Sequence, residues 1–325
     1  MTILRAKVIV THHEYLGKSK SITNGRRRIL SKVLLKELSS RGAQITAVDR
    51  VEPTVEYPNV NFVEGNVLET PIVVETLKKH DIQTCFHLAG MSSVKGCQEN
   101  PAAAFEANCE ATLTFLEGCR QYGKATEIVV TSSNHVYGDQ NISPTPEDAP
   151  LNGFVAYAAS KACGDIISRC YGKSYGLPVG VARITNTFGG HDPHTKHLIT
   201  GTIASYANGE RPVIRGSGND TKGFLYIADT IAGLIALAEN ISDKQLAGEV
   251  FNFVPDSPMQ VLKVVKRIGE LMDSSLEPDV LGSSEHEDEH EHLSNAHAKK
   301  VLGWSPQFSY DEGFKQAIED YRAIR

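Results

Sequence analysis

The sequence predicts an α/β fold, a doubly wound parallel sheet with a smaller C-terminal lobe. Three observations carry that expectation. From residue 7 to about residue 190, apolar runs of strand length alternate with amphipathic runs of helix length. Alternation at this spacing implies right-handed crossovers, which set successive strands parallel and cover both faces of the sheet. After about residue 190 the pieces shorten, and Gly, Pro and His become more frequent.

The elements follow in order. Lys7–Thr11 (KVIVT) reads as the first strand. Residues 31–41 read as a helix, with Val33, Leu34 and Leu38 on one broad apolar face and Gly42 to stop it. Gln44–Asp49 is the next strand and residues 60–62 a short one. Residues 85–89 form a strand, 101–122 one long helix, 127–131 a strand, 158–175 a helix and Val179–Ile184 a strand.

Bulk properties exclude some function classes. Of 325 residues, 41% are hydrophobic and 22% charged, as in ordinary globular proteins. A net charge of -6 offers no electrostatic footprint for nucleic acid. No apolar run approaches the roughly 18 residues that cross a bilayer, and the apolar stretch at the start is too short for a signal peptide. The six cysteines form no C-x-x-C pair, which fits small core thiols in a reduced, cytoplasmic protein.

The strongest chemical signal is Tyr157-Ala-Ala-Ser-Lys161. Four residues apart on a helix, phenol and ammonium share one face. A nearby cation favours phenolate and is expected to lower the tyrosine pKa, giving an acid/base for a sugar or alcohol oxygen. One strand earlier, IVVTSSNHVYG (128–138) ends in hydroxyls. FHLAG (86–90) precedes it, and RITNTFG (183–189), FLYIAD (224–229), FNF (251–253) and LGWSP (302–306) follow.

This ordered set resembles the extended short-chain dehydrogenase/reductase family of NAD-dependent nucleotide-sugar epimerases and dehydratases. Within it, GERPVIRGSG, the HEHL stretch and the SYDEGFKQAIEDYR ending look most like CDP-glucose 4,6-dehydratase-like proteins. The resemblance implies a Rossmann-type NAD-binding domain over residues 1–190, with an atypical loop at 12–30. A mainly substrate-binding lobe then covers 191–325, interleaved with the end of the sheet.

The resemblance also implies roles. Tyr157 is the acid/base, Lys161 holds the nicotinamide ribose, and Ser133 hydrogen-bonds the reacting sugar hydroxyl. Asp49 accepts the adenosine ribose hydroxyls, favouring NAD, while Arg50 beside it leaves NADP the lesser option. Asn66 and Val67 match the adenine side. Leu88, Ala89 and Gly90 match the strand end beside the cofactor, and Ser92 and Ser93 lead on towards the substrate. Asn186, Arg215 and Lys222 fall on the sugar-nucleotide side. Family members usually pair as homodimers through two helices, here 101–122 and 158–175.

Three departures bear on the chemistry. Dehydratases of this family carry an acid–base pair directly after the triad hydroxyl, where this chain has Asn134 and His135. Asn134 supplies no proton at neutral pH, whereas His135 can act as one of the pair; the alternative is that both only line the pocket. Lys222 and Gly223 replace the family's Arg and Asp, so charge is kept without the bidentate fork. The family's glycine-rich turn, counted back from the helix at 31–41, falls on Thr23, Asn24, Arg27 and Leu30, so the glycines are absent. Counted forward from Lys7–Thr11, only Gly17 survives. Arg26, Arg27 and Arg28 attract phosphate by charge but occupy the volume a pyrophosphate needs, so weak or absent NAD binding is expected unless they swing clear.

Two histidine clusters, 191–197 and 286–292, have metal-like spacing but sit in loop-like segments, and no metal is assigned. The leading expectation is an NAD-dependent epimerase or dehydratase acting on a nucleotide-diphosphate hexose. One rival is a uronate-type sugar dehydrogenase, suggested by Ser133-Asn-His135. Another is a homologue that binds a sugar nucleotide or a partner without turnover.

Overall fold

The computed structural model describes residues 7–11, 29–51, 57–125, 127–282 and 291–323. The chain begins with β1 (Lys7–Thr11), α1 (Ile29–Ser40), β2 (Gln44–Asp49), β3 (Val60–Glu64), α2 (Thr70–His80) and β4 (Thr84–His87). Next come α3 (Val94–Glu99), α4 (Pro101–Phe105), a π-helical turn at Glu106–Glu110, α5 (Ala111–Tyr122) and β5 (Glu127–Ser133). A 3₁₀ turn at Asn134–Tyr137 precedes α6 (Ala156–Tyr175), β6 (Val179–Ile184) and β7 (Asn186–Phe188). The rest is α7 (Leu198–Ala207), β8 (Val213–Ile214), β9 (Thr221–Lys222), β10 (Phe224–Tyr226), α8 (Ile227–Asn240) and β11 (Val250–Phe253). It ends with β12 (Met259–Gln260), α9 (Val261–Leu271), β13 (Asp279–Val280), α10 (Ala296–Leu302) and α11 (Tyr310–Ala323).

Among the described residues the main sheet has seven parallel strands in the order β3-β2-β1-β4-β5-β6-β11. Alternate residues of one strand feed opposite cores. Val8 and Val10 pack with Leu34 and Leu38 of α1 and Leu234 and Leu237 of α8. Ile9 packs on the other side with Leu77 of α2 and Phe115 and Leu116 of α5. The strands are therefore apolar on consecutive residues, as burial of both faces requires. Each fully buried Leu or Phe contributes about 1.5–3 kcal/mol. The lobe has its own core of Phe188, Ile199, Ile203, Val264, Ile268 and Phe314. The late strand β11 pairs with β6, so sequence beyond residue 190 completes the sheet.

Some elements differ from the expectation. The helix expected over 101–122 is interrupted by the π-helical turn at Glu106–Glu110, where buried Asn108 turns its side chain to a loop. Helices α2 and α3, unremarked in the sequence pattern, cross between β3, β4 and the long helical run. Strand β1 lies at the centre of the sheet, so Lys7–Thr11 is the strand that precedes α1. The replaced glycine positions Asn24 and Arg27, with Gly17 and Arg26–Arg28, lie outside the described residues; Leu30 is the second residue of α1.

Candidate active site

The carboxyl ends of the parallel strands converge on one edge of the sheet, where open α/β folds hold their ligands. Strand β5 delivers Ser133 there, fully extended at φ -143°. Its hydroxyl accepts from the His135 N–H at 3.3 Å and approaches Asn134 Oδ1 at 3.2 Å, which closes the 3₁₀ turn. Helix α6 starts at Ala156, so Tyr157 sits in its first turn and Lys161 one turn later. Ser133 and Tyr157 are both buried, and Ser133 lies close enough to the phenol to act on its titration. The Lys161 ammonium donates to the Thr131 carbonyl at 3.0 Å. The His135 ring meets the Tyr157 ring edge-on, with centroids 5.5 Å apart. Ser133, His135, Tyr157 and Lys161 are thus brought together, with Asn134 buried beside them.

The electrostatics differ from the expectation that Lys161 lowers the Tyr157 pKa. Burial pushes the phenol up, with nearby Ser133 pulling the other way. Burial pushes the Lys161 ammonium down to about 8. Both shifts favour the neutral forms, because a low-dielectric site disfavours charge of either sign. The ammonium is engaged by the Thr131 carbonyl rather than by the phenol.

Beyond β4, the Leu88–Ala89–Gly90 stretch runs past Lys161. A Cβ on Gly90 would stand 2.5 Å from Asn108 Oδ1 and 3.2 Å from Lys161 Nζ, so only glycine leaves that space open. Ser92 and Ser93 are exposed, and the Ser93 hydroxyl caps α3 by accepting from the Gly96 N–H at 3.1 Å. That hydroxyl serves local structure first. Across the sheet, Asp49 ends β2 buried, and its side chain accepts from the Val51 N–H at 3.3 Å, with Arg50 between them. Gly65 N–H donates to the Asp49 carbonyl at 2.9 Å, which sets Asn66 and buried Val67 beside it.

On the lobe side, Asn186 opens β7 and donates to the Gly223 carbonyl at 3.0 Å, so Asn186 and Lys222 are neighbours. Arg215 is exposed directly after β8. The first histidine cluster closes on an acid: Asp192 accepts from the His194 N–H at 3.0 Å and Thr200 at 3.1 Å, and meets His197 Nδ1 at 2.7 Å. Of the second cluster, His286 and His290 lie outside the described residues. Among the described residues no group of three or more His, Cys, Asp or Glu is arranged to hold a metal ion.

Sequence reasoning missed Asn108. Its Oδ1 accepts from the Met91 N–H at 2.8 Å, and its Nδ2 reaches the Met91 carbonyl at 3.1 Å and Ser160 Oγ at 2.9 Å. One amide therefore ties the loop after β4 to the helix of Tyr157 and Lys161. The π-helical turn brings it there, as such turns often do at functional sites. An asparagine on the face that otherwise carries Ala104, Ala107, Ala111 and Phe115 at helical spacing was the available signal. Glu291, whose Oε1 lies 3.2 Å from Thr185 Oγ1 close to Asn186, carried none.

The donor set fits a dinucleotide. Asp49 presents a buried carboxylate at the end of β2, Gly90 clears a space, and Lys161 stands behind it. Comparison with known proteins agrees. Residues 25–253 match the model of the NAD dependent epimerase/dehydratase family. The chain is 26% identical over 320 residues to UDP-glucuronic acid decarboxylase 1 of Xenopus tropicalis, covering 94% of this chain and 72% of that protein. It is 28% identical over 281 residues to the trifunctional UDP-glucose 4,6-dehydratase/UDP-4-keto-6-deoxy-D-glucose 3,5-epimerase/UDP-4-keto-L-rhamnose-reductase RHM1 of Arabidopsis thaliana, covering 83% of this chain and 40% of that one. In fold it is similar to MoeE5, solved in complex with UDP-glucuronic acid and NAD, with a TM-score of 0.83 and 24% identity, covering 98% of this chain and all (100%) of that one. The chain belongs to the NAD dependent epimerase/dehydratase family.

Proposed function

We propose that this protein oxidises a ring carbon of a nucleotide-diphosphate hexose with NAD, and that the keto sugar then epimerises or loses water before the hydride returns. The observation that carries this reading is that buried Ser133 at the end of β5 meets buried Tyr157 on α6, with Lys161 one turn further on the same helix face and bonded back to the Thr131 carbonyl of β5. Asp49, Asn66, Val67, Leu88, Ala89 and Gly90 would hold the adenosine and ribose portions of NAD, and Lys161 the nicotinamide ribose. When bound, NAD supplies the hydride acceptor. Ser133 orients the sugar hydroxyl, and Tyr157, once its phenol has released a proton to solvent, takes the hydroxyl proton as phenolate while the C–H bond breaks, giving it back on return. The Lys161 ammonium, charged below about pH 8, stabilises the phenolate while it exists. Asn134, Asn186, Lys222 and Arg215 lie on the substrate side, with Lys222 supplying charge to the diphosphate.

His135 stands edge-on to Tyr157 and is the side chain able to move a second proton, at the neighbouring carbon. The run Ser133-Asn-His135 also supports a second reading, net oxidation of a uronate. UDP-glucose and UDP-glucuronate, substrates or ligands named for the relatives, are therefore the probes. The protein as a homodimer of α5/α6 helix pairs, with six free thiols in a reducing cytoplasm, completes the proposal.

The test is turnover of each probe with NAD, read as reduced nicotinamide and as sugar product, in wild type and Tyr157→Phe. Loss of about 10²–10⁴-fold in the variant, with NAD affinity unchanged, is expected. A variant as fast as wild type would remove Tyr157 from the mechanism. Calorimetry with NAD tests the arginines of 26–28 independently. No measurable binding would favour the homologue without turnover.

A further inference from the structure

Arg183 on β6 has the largest fully buried side chain in the molecule's described part. Its guanidinium makes a two-point contact with buried Asp165, Nε to Oδ2 at 2.8 Å and Nη2 to Oδ1 at 2.9 Å. Nη1 donates to the Tyr137 hydroxyl at 2.7 Å and to the Glu147 carbonyl at 2.9 Å. A guanidinium has no acceptor, so the Tyr137 oxygen must accept there and spend its own proton elsewhere. It donates to Asn252 Oδ1 at 2.7 Å. That sets the amide: Asn252 Nδ2 faces the Ser294 carbonyl at 3.1 Å. The chain of donors runs one way, Arg183 to Tyr137 to Asn252 to Ser294.

The ends of this chain are the parts of the candidate site. Tyr137 closes the 3₁₀ turn that begins after Ser133 and contains His135. Asp165 lies one helical turn beyond Lys161 and two beyond Tyr157 on α6. Ser294 belongs to the 291–295 segment, which bonds to Thr145 on one side and, through Glu291, to Thr185 and Thr221 on the other. We propose that Arg183 is a positioning residue for the acid/base step: its planar fork holds the Ser133 turn against the Tyr157 helix and ties both to the segment bordering Thr185 and Asn186. This rests on the Tyr157–Ser133 reading above.

A purely structural role makes a different prediction. A buried ion pair can often be replaced by apolar residues of similar volume with no loss, or a gain, of stability. Directional fixing of a turn cannot be replaced that way, because apolar packing carries no fork geometry. The deciding variant is therefore the double replacement Arg183→Met with Asp165→Leu, alongside Arg183→Lys and Tyr137→Phe. Three quantities are measured: the urea midpoint, NAD affinity by calorimetry, and kcat and KM with UDP-glucose and NAD. A fourth is the Tyr157 ring-carbon resonance in protein labelled with ¹³C-tyrosine, assigned by its loss in Tyr157→Phe.

The double variant should unfold at a midpoint close to wild type and bind NAD within about twofold. Its kcat should fall about 10–100-fold with KM little changed, the size expected for a misplaced reacting group, and the Tyr157 resonance should move. Arg183→Lys should keep the charge and recover little of the rate. A double variant with wild-type kcat and an unmoved Tyr157 resonance overturns the proposal. If the double variant does not fold, Tyr137→Phe, which removes one oxygen, decides by the same resonance. If wild type turns over neither probe, the functional reading fails on its own, and the resonance still tests whether the network holds Tyr157 against Ser133.

Discussion

Lys161 carries opposing demands. Its charge is wanted beside a phenolate, yet burial pushes its pKa from 10.5 down to about 8. Between those two values the unfolded chain holds the proton and the folded one does not. Stability therefore rises with pH across that window, and the whole penalty is present below about pH 8. Lys161→Met should stabilise the cofactor-free protein at neutral pH by at most about 3 kcal/mol, less because the side chain is only part-buried. The gain should shrink as pH climbs from about 8 towards 10.5, read from urea midpoints. A difference independent of pH would mean that the lysine is not held against its charge. His135 makes a separate prediction, in the product rather than in the fold. In His135→Ala, reduced nicotinamide should still appear with UDP-glucose, because hydride leaves before the second proton moves, while the dehydrated or epimerised sugar should not accumulate. Unchanged product would reduce His135 to a wall of the pocket.

The elements matter through how closely they approach. At the crossing of α6 with the π-helical turn, a Cβ on Gly164 would stand 2.5 Å from the Asn108 carbonyl oxygen. That neighbour is backbone and cannot rotate away. Gly164→Ala should push the two helices apart and cost about 1–3 kcal/mol, as overpacking does, seen as a lower urea midpoint. It should also weaken the Asn108 bridge from Met91 to Ser160, so turnover should fall with it. A variant as stable and as fast as wild type would show that this crossing has slack. Sequence periodicity revealed a helix over this stretch but not its π-helical turn. The turn is stabilised by Asn108 reaching a loop 17 positions earlier, which no local pattern encodes.

At the scale of the whole molecule, α4, α5 and α6 leave Phe105, Leu113, Ile166 and Tyr175 between 39% and 61% exposed. Apolar side chains left in water on one helix pair suit a self-complementary interface, which a twofold axis makes from a single patch. Light scattering at micromolar concentration should give twice the chain mass. Leu113→Glu with Ile166→Glu should give the monomer, because a charge in a closed apolar interface has no partner. A monomeric wild type would sink the dimer.

The sequence by itself determined the alternation of strands and helices, the KVIVT strand ahead of α1 and the Tyr157–Lys161 spacing, and it proposed Ser133 with them. The strands, the helices and the Tyr157–Lys161 pair are written in residues close together, within the window over which periodicity and i,i+4 spacing act, whereas Ser133 stands outside that window and came with the family resemblance. Only the tertiary structure decided the sign of the Tyr157 shift, because burial sums over everything packed around the phenol. It alone showed why Gly90 and Gly164 must lack a side chain, since the atoms that would be struck come from another helix. It alone joined Asn108 to Ser160, 52 positions apart, and Arg183 to Tyr137, 46 apart. Such partners meet only after the crossovers have stacked the strands, so their pairing is a property of the folded sheet and not of any stretch of chain.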